Sequence, residues 1–239
     1  MAAPPYQLAF SLHGHASDVR HLCCPSSGVP LLLSASRDGS AIVWGPGAKG
    51  KEWDVKMREE GPEKRFVSCV GMVRWQGEAF LLIGSSSGIL TTFMLPSATS
   101  PPPVNGAASD PHHTLIEHKQ NLCCMDTSKG GLIATGSWDK IYFRSVVIWK
   151  DFKTVIKIEV HEQAVWAIRF VGEDRLLTAS ADKKIILHAI DVRSGTTHQL
   201  QEYSGHTEPV RGLSLRTDSK GFWSCGNDGL TDSNWAKPY

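Results

Sequence analysis

At 239 residues, with 41% hydrophobic and 21% charged residues, the chain has room for one large all-β domain or two ordinary ones, each with a buried core. Its 25 basic and 24 acidic side chains leave a net charge of +1 and no Lys/Arg run, which excludes the long-range field of a nucleic-acid binder. No apolar stretch approaches the ~20 residues of a membrane span, and residues 1–10 lack a basic start followed by an apolar run. The expectation is a cytoplasmic or nuclear protein.

Residues 6–12 read as an orphan strand, of the kind that closes a propeller by completing its last blade. A pattern then begins at Gly14-His15. It consists of a His, the hydrophobic Val19 four positions on, an apolar strand, and the small-residue turn Ser34-Ala-Ser-Arg-Asp38. Trp44 follows Asp38 by six residues. The spacing predicts strands near 18–24, 30–36, 40–45 and 51–57.

A degenerate copy follows, with Glu63 near the expected His, Ser87 in place of the turn Asp and Phe93 in place of the Trp. Its strands fall near 66–74, 79–84, 89–94 and 112–117, and the Pro/Ser/Ala-rich stretch 96–111 reads as a disordered surface loop. The third copy starts at Glu117-His118, passes Leu122 and turns at Asp139. Its Trp149 comes ten residues after the Asp, with four extra residues within 141–145. Strands are expected near 121–126, 131–136, 145–150 and 153–159. The fourth runs from Val160-His161 through Val165 to Asp182, with His188 at the Trp position and strands near 164–170, 174–180, 184–190 and 197–203. The fifth runs from Gly205-His206 through Val210 to Asp228, with strands near 209–215, 220–225 and 230–235. Its Trp235 is one position late, and residues 231–234 are polar for a buried strand. The two irregularities are read as altered splicing or a truncated gene model.

His-to-Asp separations of 23, 21, 21 and 22 and a turn-to-turn period of 43 to 52 predict an all-β, WD-repeat propeller of about five four-stranded blades. The blades span 13–58, 62–117, 118–160, 161–204 and 205–239. The residue types suit a structural network. A turn Asp accepts bonds from the His of the preceding loop and from amides, and a strand-b Ser or Thr and the strand-c Trp extend the chain. His15, Asp38, Trp44, His118, Asp139, Trp149, His161, Asp182, His206 and Asp228 are therefore assigned to structure, not catalysis.

No catalytic constellation, metal site or cofactor site is expected. Gly84-Ser-Ser-Ser-Gly88 matches a nucleophile elbow, but a strand rather than a helix follows it, so Ser86 is a turn residue. His112-His113 reads as a solvated pair. The six cysteines are expected in strands, four of them as the adjacent pairs Cys23-Cys24 and Cys123-Cys124. Each pair should send one reduced thiol into a sheet interface. Function must then lie in a surface. Propellers display two positions per blade around one rim of the channel: the residue after the first strand-a hydrophobic and the residue before the turn Asp. Those positions hold Arg20, Ser68, Cys123, Trp166 and Arg211, then Arg37, Ser86, Trp138, Ala181 and Asn227. Trp166, Trp138, Arg20, Arg211 and Arg37 are the candidate partner-binding residues, because Trp and Arg dominate binding hot spots.

The order of Asp18-Val-Arg-His-Leu22, Phe66-Val-Ser-Cys-Val70, Gly136-Ser-Trp-Asp-Lys140, Val165-Trp-Ala-Ile168, Leu177-Thr-Ala-Ser-Ala-Asp-Lys183, Val210-Arg-Gly-Leu213 and Gly226-Asn-Asp-Gly229 adds a resemblance. The chain resembles the propeller of the PLAA (phospholipase A2-activating protein) family, ubiquitin-binding cofactors of the valosin-containing AAA unfoldase. The resemblance implies a non-enzymatic adaptor that binds ubiquitin or ubiquitylated proteins. It implies a link to the unfoldase only through domains absent from this chain. The alternative is a WD-repeat scaffold for a peptide unrelated to ubiquitin. Since the resembled propellers have seven blades, the expectation is an open arc with exposed ends.

Overall fold

A computed structural model describes residues 11–25, 30–47, 52–96, 110–138, 145–159, 161–217 and 221–232. Their strands form five antiparallel sheets, each laid out in chain order. The first contains β1 (Val19–Cys23), β2 (Leu32–Ser36), β3 (Ser40–Pro46) and β4 (Trp53–Glu60). The second contains β5 (Val67–Trp75), β6 (Glu78–Ser85), β7 (Ile89–Met94) and β8 (His113–Ile116). The third contains β9 (Leu122–Thr127), β10 (Ile133–Ser137), β11 (Ser145–Lys150) and β12 (Lys153–Glu159). The fourth contains β13 (Val165–Phe170), β14 (Arg175–Ser180), β15 (Lys184–Asp191) and β16 (Thr196–Ser204). The fifth shows three strands among the described residues: β17 (Val210–Leu215), β18 (Phe222–Gly226) and the two-residue β19 (Thr231–Asp232).

This is the all-β propeller architecture that the repeats predict. Most strands start and end within three residues of their expected limits. β4 runs three residues past the expected end at 57, to Glu60. The expected strand at 230–235 is described only as β19, and residues 233–239 lie outside the described set. So do residues 6–10 of the expected closing strand, residues 97–109 of the loop, and residues 139–144, which hold Asp139 and most of the insertion.

Burial follows position in the stack. Every residue of β10 is buried, because a middle strand of an internal sheet has a neighbouring sheet on both faces. The outer strand β12 alternates between buried and exposed in its second half, as a strand at the perimeter should. Inner strands pack in sequence, β1 on β5, β5 on β9, β9 on β13 and β13 on β17. Four apolar clusters fill the seams. Leu33 and Val43 meet Val70 and Ile83, and Phe80 and Leu90 meet Leu122 and Trp149. Ile148 and Ile158 meet Ile168 and Leu176, and Leu177 and Ile185 meet Val210 and Phe222. Each such side chain contributes roughly 1.5–3 kcal/mol on burial. Among the described residues no cluster joins the fifth sheet to the first. Their outward faces leave Leu22 59% and Trp223 47% exposed, and β18 alternates where its counterpart β10 does not.

The cysteines obey the alternation. Cys124 is buried beside the half-buried Cys123, and Cys23 packs on the first cluster while Cys24 is exposed. Cys225 lies exposed beside the buried Ser224, on the uncovered face of the last sheet.

Candidate functional site

The site rests on the His–Asp network. His15 Nδ1–H donates to Asp38 Oδ2 (3.0 Å), Ser34 Oγ–H donates to His15 Nε2 (2.7 Å), and Trp44 Nε1–H donates to Ser34 Oγ (2.8 Å). That chain of donors assigns the Nδ1–H tautomer. Asp38 also accepts the amides of Ala16 and Ser40 at 2.8 and 2.9 Å. Burial raises its carboxyl, but the Ser40 hydroxyl, the two amides and the His15 ring outweigh burial and hold it below the usual carboxylate range. His161 repeats the geometry with Asp182 (2.9 Å) and Thr178 (2.8 Å), and His206 with Asp228 (2.8 Å) and Ser224 (2.8 Å). In the third sheet His118 Nε2 meets Thr135 Oγ1 at 2.9 Å and Trp149 Nε1–H donates to the same hydroxyl at 3.0 Å. Its Asp139 lies outside the described residues.

Above this network each inner strand carries a β-bulge at the same place. Val19 and His21 pair with Ser36 and Ala35, leaving Arg20 without an opposite residue. Ser68, Cys123, Trp166 and Arg211 are skipped in the same way. A bulge re-aims its side chain out of the pleat. The five inner rim positions read from the sequence are thus the five bulge residues. The neighbouring turn residue is pinned by a repeated backbone bond: Arg37 N–H to Asp18 O, Ser86 to Phe66, Trp138 to Asn121, Ala181 to Ala164 and Asn227 to Pro209, at 2.9 to 3.1 Å. Ser86 is a turn residue followed by the strand β7.

The structure brings three of the five candidates together. The rings of Trp138 and Trp166, from the third and fourth sheets, lie 5.7 Å apart at 45°. The Arg211 guanidinium carbon, from the fifth, lies 4.2 Å from the centre of the Trp166 ring. Arg211 Nε–H also donates to Asn227 Oδ1 at 3.0 Å. The ring pair and the cation on it are each worth about 1 kcal/mol. Trp138 is 40% exposed, so the platform has an open apolar face. The Trp166 Nε1 is shut off from solvent without a partner, so packing rather than hydrogen bonding holds that ring. Arg20 and Arg37 stand on the first sheet, where Arg37 pairs with Asp18 at 3.2 Å in the open. Among the described residues, no hydrogen bond, ion pair or ring contact joins either arginine to the platform.

The sequence reading missed the surroundings of His112 and His113. They are not simply a solvated pair. His113 stacks on Phe152 at 4.2 Å, and Trp75, Phe80 and His112 complete an aromatic cluster. Among the described residues no group of three or more His, Cys, Asp or Glu side chains could hold a metal ion, and no helix is long and apolar enough to cross a membrane.

Comparison with known proteins agrees with this architecture. The family described as "WD domain, G-beta repeat" matches residues 6–45 and 152–188. The chain is 29% identical over 95% of its length to the "Ubiquitin fusion degradation protein 3 homolog" of Caenorhabditis elegans, covering 24% of that protein. It is 31% identical over 94% of its length to "Protein DOA1" of Saccharomyces cerevisiae, covering 28% of it. To the "Phospholipase A-2-activating protein" of Xenopus laevis it is 30% identical over 72% of its length, covering 20%. The chain thus spans about a quarter of the length of these curated relatives. Among solved structures, the WD40 β-propeller domain of Doa1 superposes with a TM-score of 0.72 at 31% identity, covering 95% of this chain and 68% of that one.

Proposed function

Because the chain belongs to the WD-repeat family of phospholipase A2-activating protein and Doa1, we propose that it is a ubiquitin-binding adaptor that acts through the Trp138–Trp166–Arg211 rim. The observation that carries the reading is the meeting of two indoles from neighbouring sheets on one exposed platform. Ubiquitin offers an apolar patch with a basic surround, and three rim arginines would oppose it if all three faced it as cations. Arg37 is offset by its pairing with Asp18, and the Arg211 cation sits over Trp166 and bonds Asn227. The platform thus offers indole area with one cation held on it. The name of the Caenorhabditis elegans relative places that protein in ubiquitin fusion degradation, which supports the same pathway here. No residue of this chain is assigned to an unfoldase.

Passing the folded protein over immobilised mono-ubiquitin and ubiquitin chains tests the proposal. Retention at ubiquitin concentrations up to ~1 mM is expected, since propeller contacts of this size lie above micromolar. Absence of retention by folded protein would leave the scaffold reading, in which the rim takes a peptide unrelated to ubiquitin.

A further inference from the structure

The second sheet is where the repeat chemistry is interrupted. In the first, fourth and fifth sheets the turn carboxylate accepts two amides. Asp38, Asp182 and Asp228 take the N–H after the His (Ala16, Glu162, Thr207) at 2.8 to 3.0 Å. They take the N–H two residues on (Ser40, Lys184, Leu230) at 2.9 to 3.1 Å. The second sheet puts Ser87 at this place, and its hydroxyl lies 2.7 Å from Ser85 Oγ. Glu63, the acid of the preceding loop, pairs with Arg65 at 3.4 Å.

A groove of about 740 Å³ opens at this turn, lined among others by Arg65, Phe66, Ser86, Ser87, Lys119 and Trp138. Phe66 and Trp138 are 36% and 40% exposed and supply apolar walls. The lining carries two cations against the single acid Glu63. Glu63 and Lys64 are held at φ of 57° and 51°, a left-handed conformation costly for such residues, and strain of that kind gathers at ligand clamps.

We propose that this groove binds an extended acidic segment of a partner protein. Its Asp or Glu carboxylate takes the place that the turn Asp fills in the other sheets, and a neighbouring apolar side chain lies against Phe66 and Trp138. Arg65 and Lys119 supply the charge complement.

A display library of about twelve random residues, selected on the folded chain in the absence of ubiquitin, tests this. Enriched peptides should share an acidic residue at a fixed distance from an apolar one, and replacing that acid by its amide should weaken binding about tenfold or more. Ser87→Asp places the chain's own carboxylate in the groove and should abolish binding without lowering the Tm. Ser87→Asp lies outside the Trp138–Trp166–Arg211 rim and should leave retention on immobilised ubiquitin intact, so failure here is distinct from failure of the ubiquitin reading. No enrichment, enrichment without an acid, or binding unchanged in Ser87→Asp overturns the proposal.

Discussion

His188 stands where Trp44 and Trp149 stand in their sheets, but it does not make their bond. The indoles donate to Ser34 and Thr135, whereas His188 Nε2 is buried without a partner. Burial first, then the His161 ring, pushes the His188 pKa down from 6.5 to about 4. His21, on β1 against β5, is also lowered to about 4, by burial and then by the Arg169 charge. Both folded-state values lie below the unfolded one, so the unfolded chain binds the proton first. Stability is therefore whole above pH 6.5 and falls as pH drops toward 4, by an amount of order 1–3 kcal/mol for each ring. Below that window Asp38, Asp182 and Asp228 act in the same direction, since their depressed carboxyls lose their stabilisation as they protonate. Urea unfolding at pH 7.5, 5.5 and 4 should show the fall, and His188→Leu should remove about half of the loss between pH 6.5 and 4. Parallel curves for the two proteins would contradict this assignment.

At the level of elements, the bulges of the inner strands and the β11–β12 hairpin show what the sequence did and did not disclose. The His-to-Asp spacing disclosed the His–Asp bonds of the first, fourth and fifth sheets, because they follow from a repeat that recurs at fixed distances. The bulges were hidden. Arg20, Ser68, Cys123, Trp166 and Arg211 share no residue type, so nothing but pairing reveals that each is skipped. The β11–β12 turn was hidden for a related reason. Asp151 and Phe152 adopt φ of 51° and 58°, which a hairpin usually assigns to Asn-Gly. What holds Phe152 there is its ring, 7% exposed, lying 5.3 Å from both Trp75 and Phe80 of the second sheet and stacked on His113. Trp75 Nε1–H closes the clasp by donating to Asp151 Oδ1 at 3.1 Å. Phe152→Ala should cost about 3–5 kcal/mol in chemical unfolding while leaving binding at the rim unchanged. A loss below 1 kcal/mol would mean the ring is not what joins these sheets.

Across the whole molecule, apolar clusters fill four seams, and among the described residues none joins the fifth sheet to the first. The chain covers 68% of the Doa1 propeller domain. The end faces carry exposed apolar side chains, Val19 and Leu22 on the first sheet and Trp223 on the fifth. Closing five blades built for seven would turn each by ~72° instead of ~51°, and close-packed seams resist such repacking. Small-angle scattering of the chain should therefore report an open arc. A compact, monodisperse disc with protected amides in residues 7–12 would show that the ring closes.

The central claim is that an apolar rim, not the His–Asp network beneath it, meets the partner. Calorimetric titration of mono-ubiquitin into wild type and Trp166→Ala, each with its Tm, tests it most directly. The account predicts a Kd weakened by about 2 kcal/mol, or some thirtyfold, with the Tm close to wild type. His161→Ala, which breaks the bonds to Asp182 and Thr178, should do the reverse by lowering the Tm with little change in Kd. An unchanged Kd in Trp166→Ala, or a Tm that falls in step with affinity, would contradict the claim and make Trp166 a packing residue.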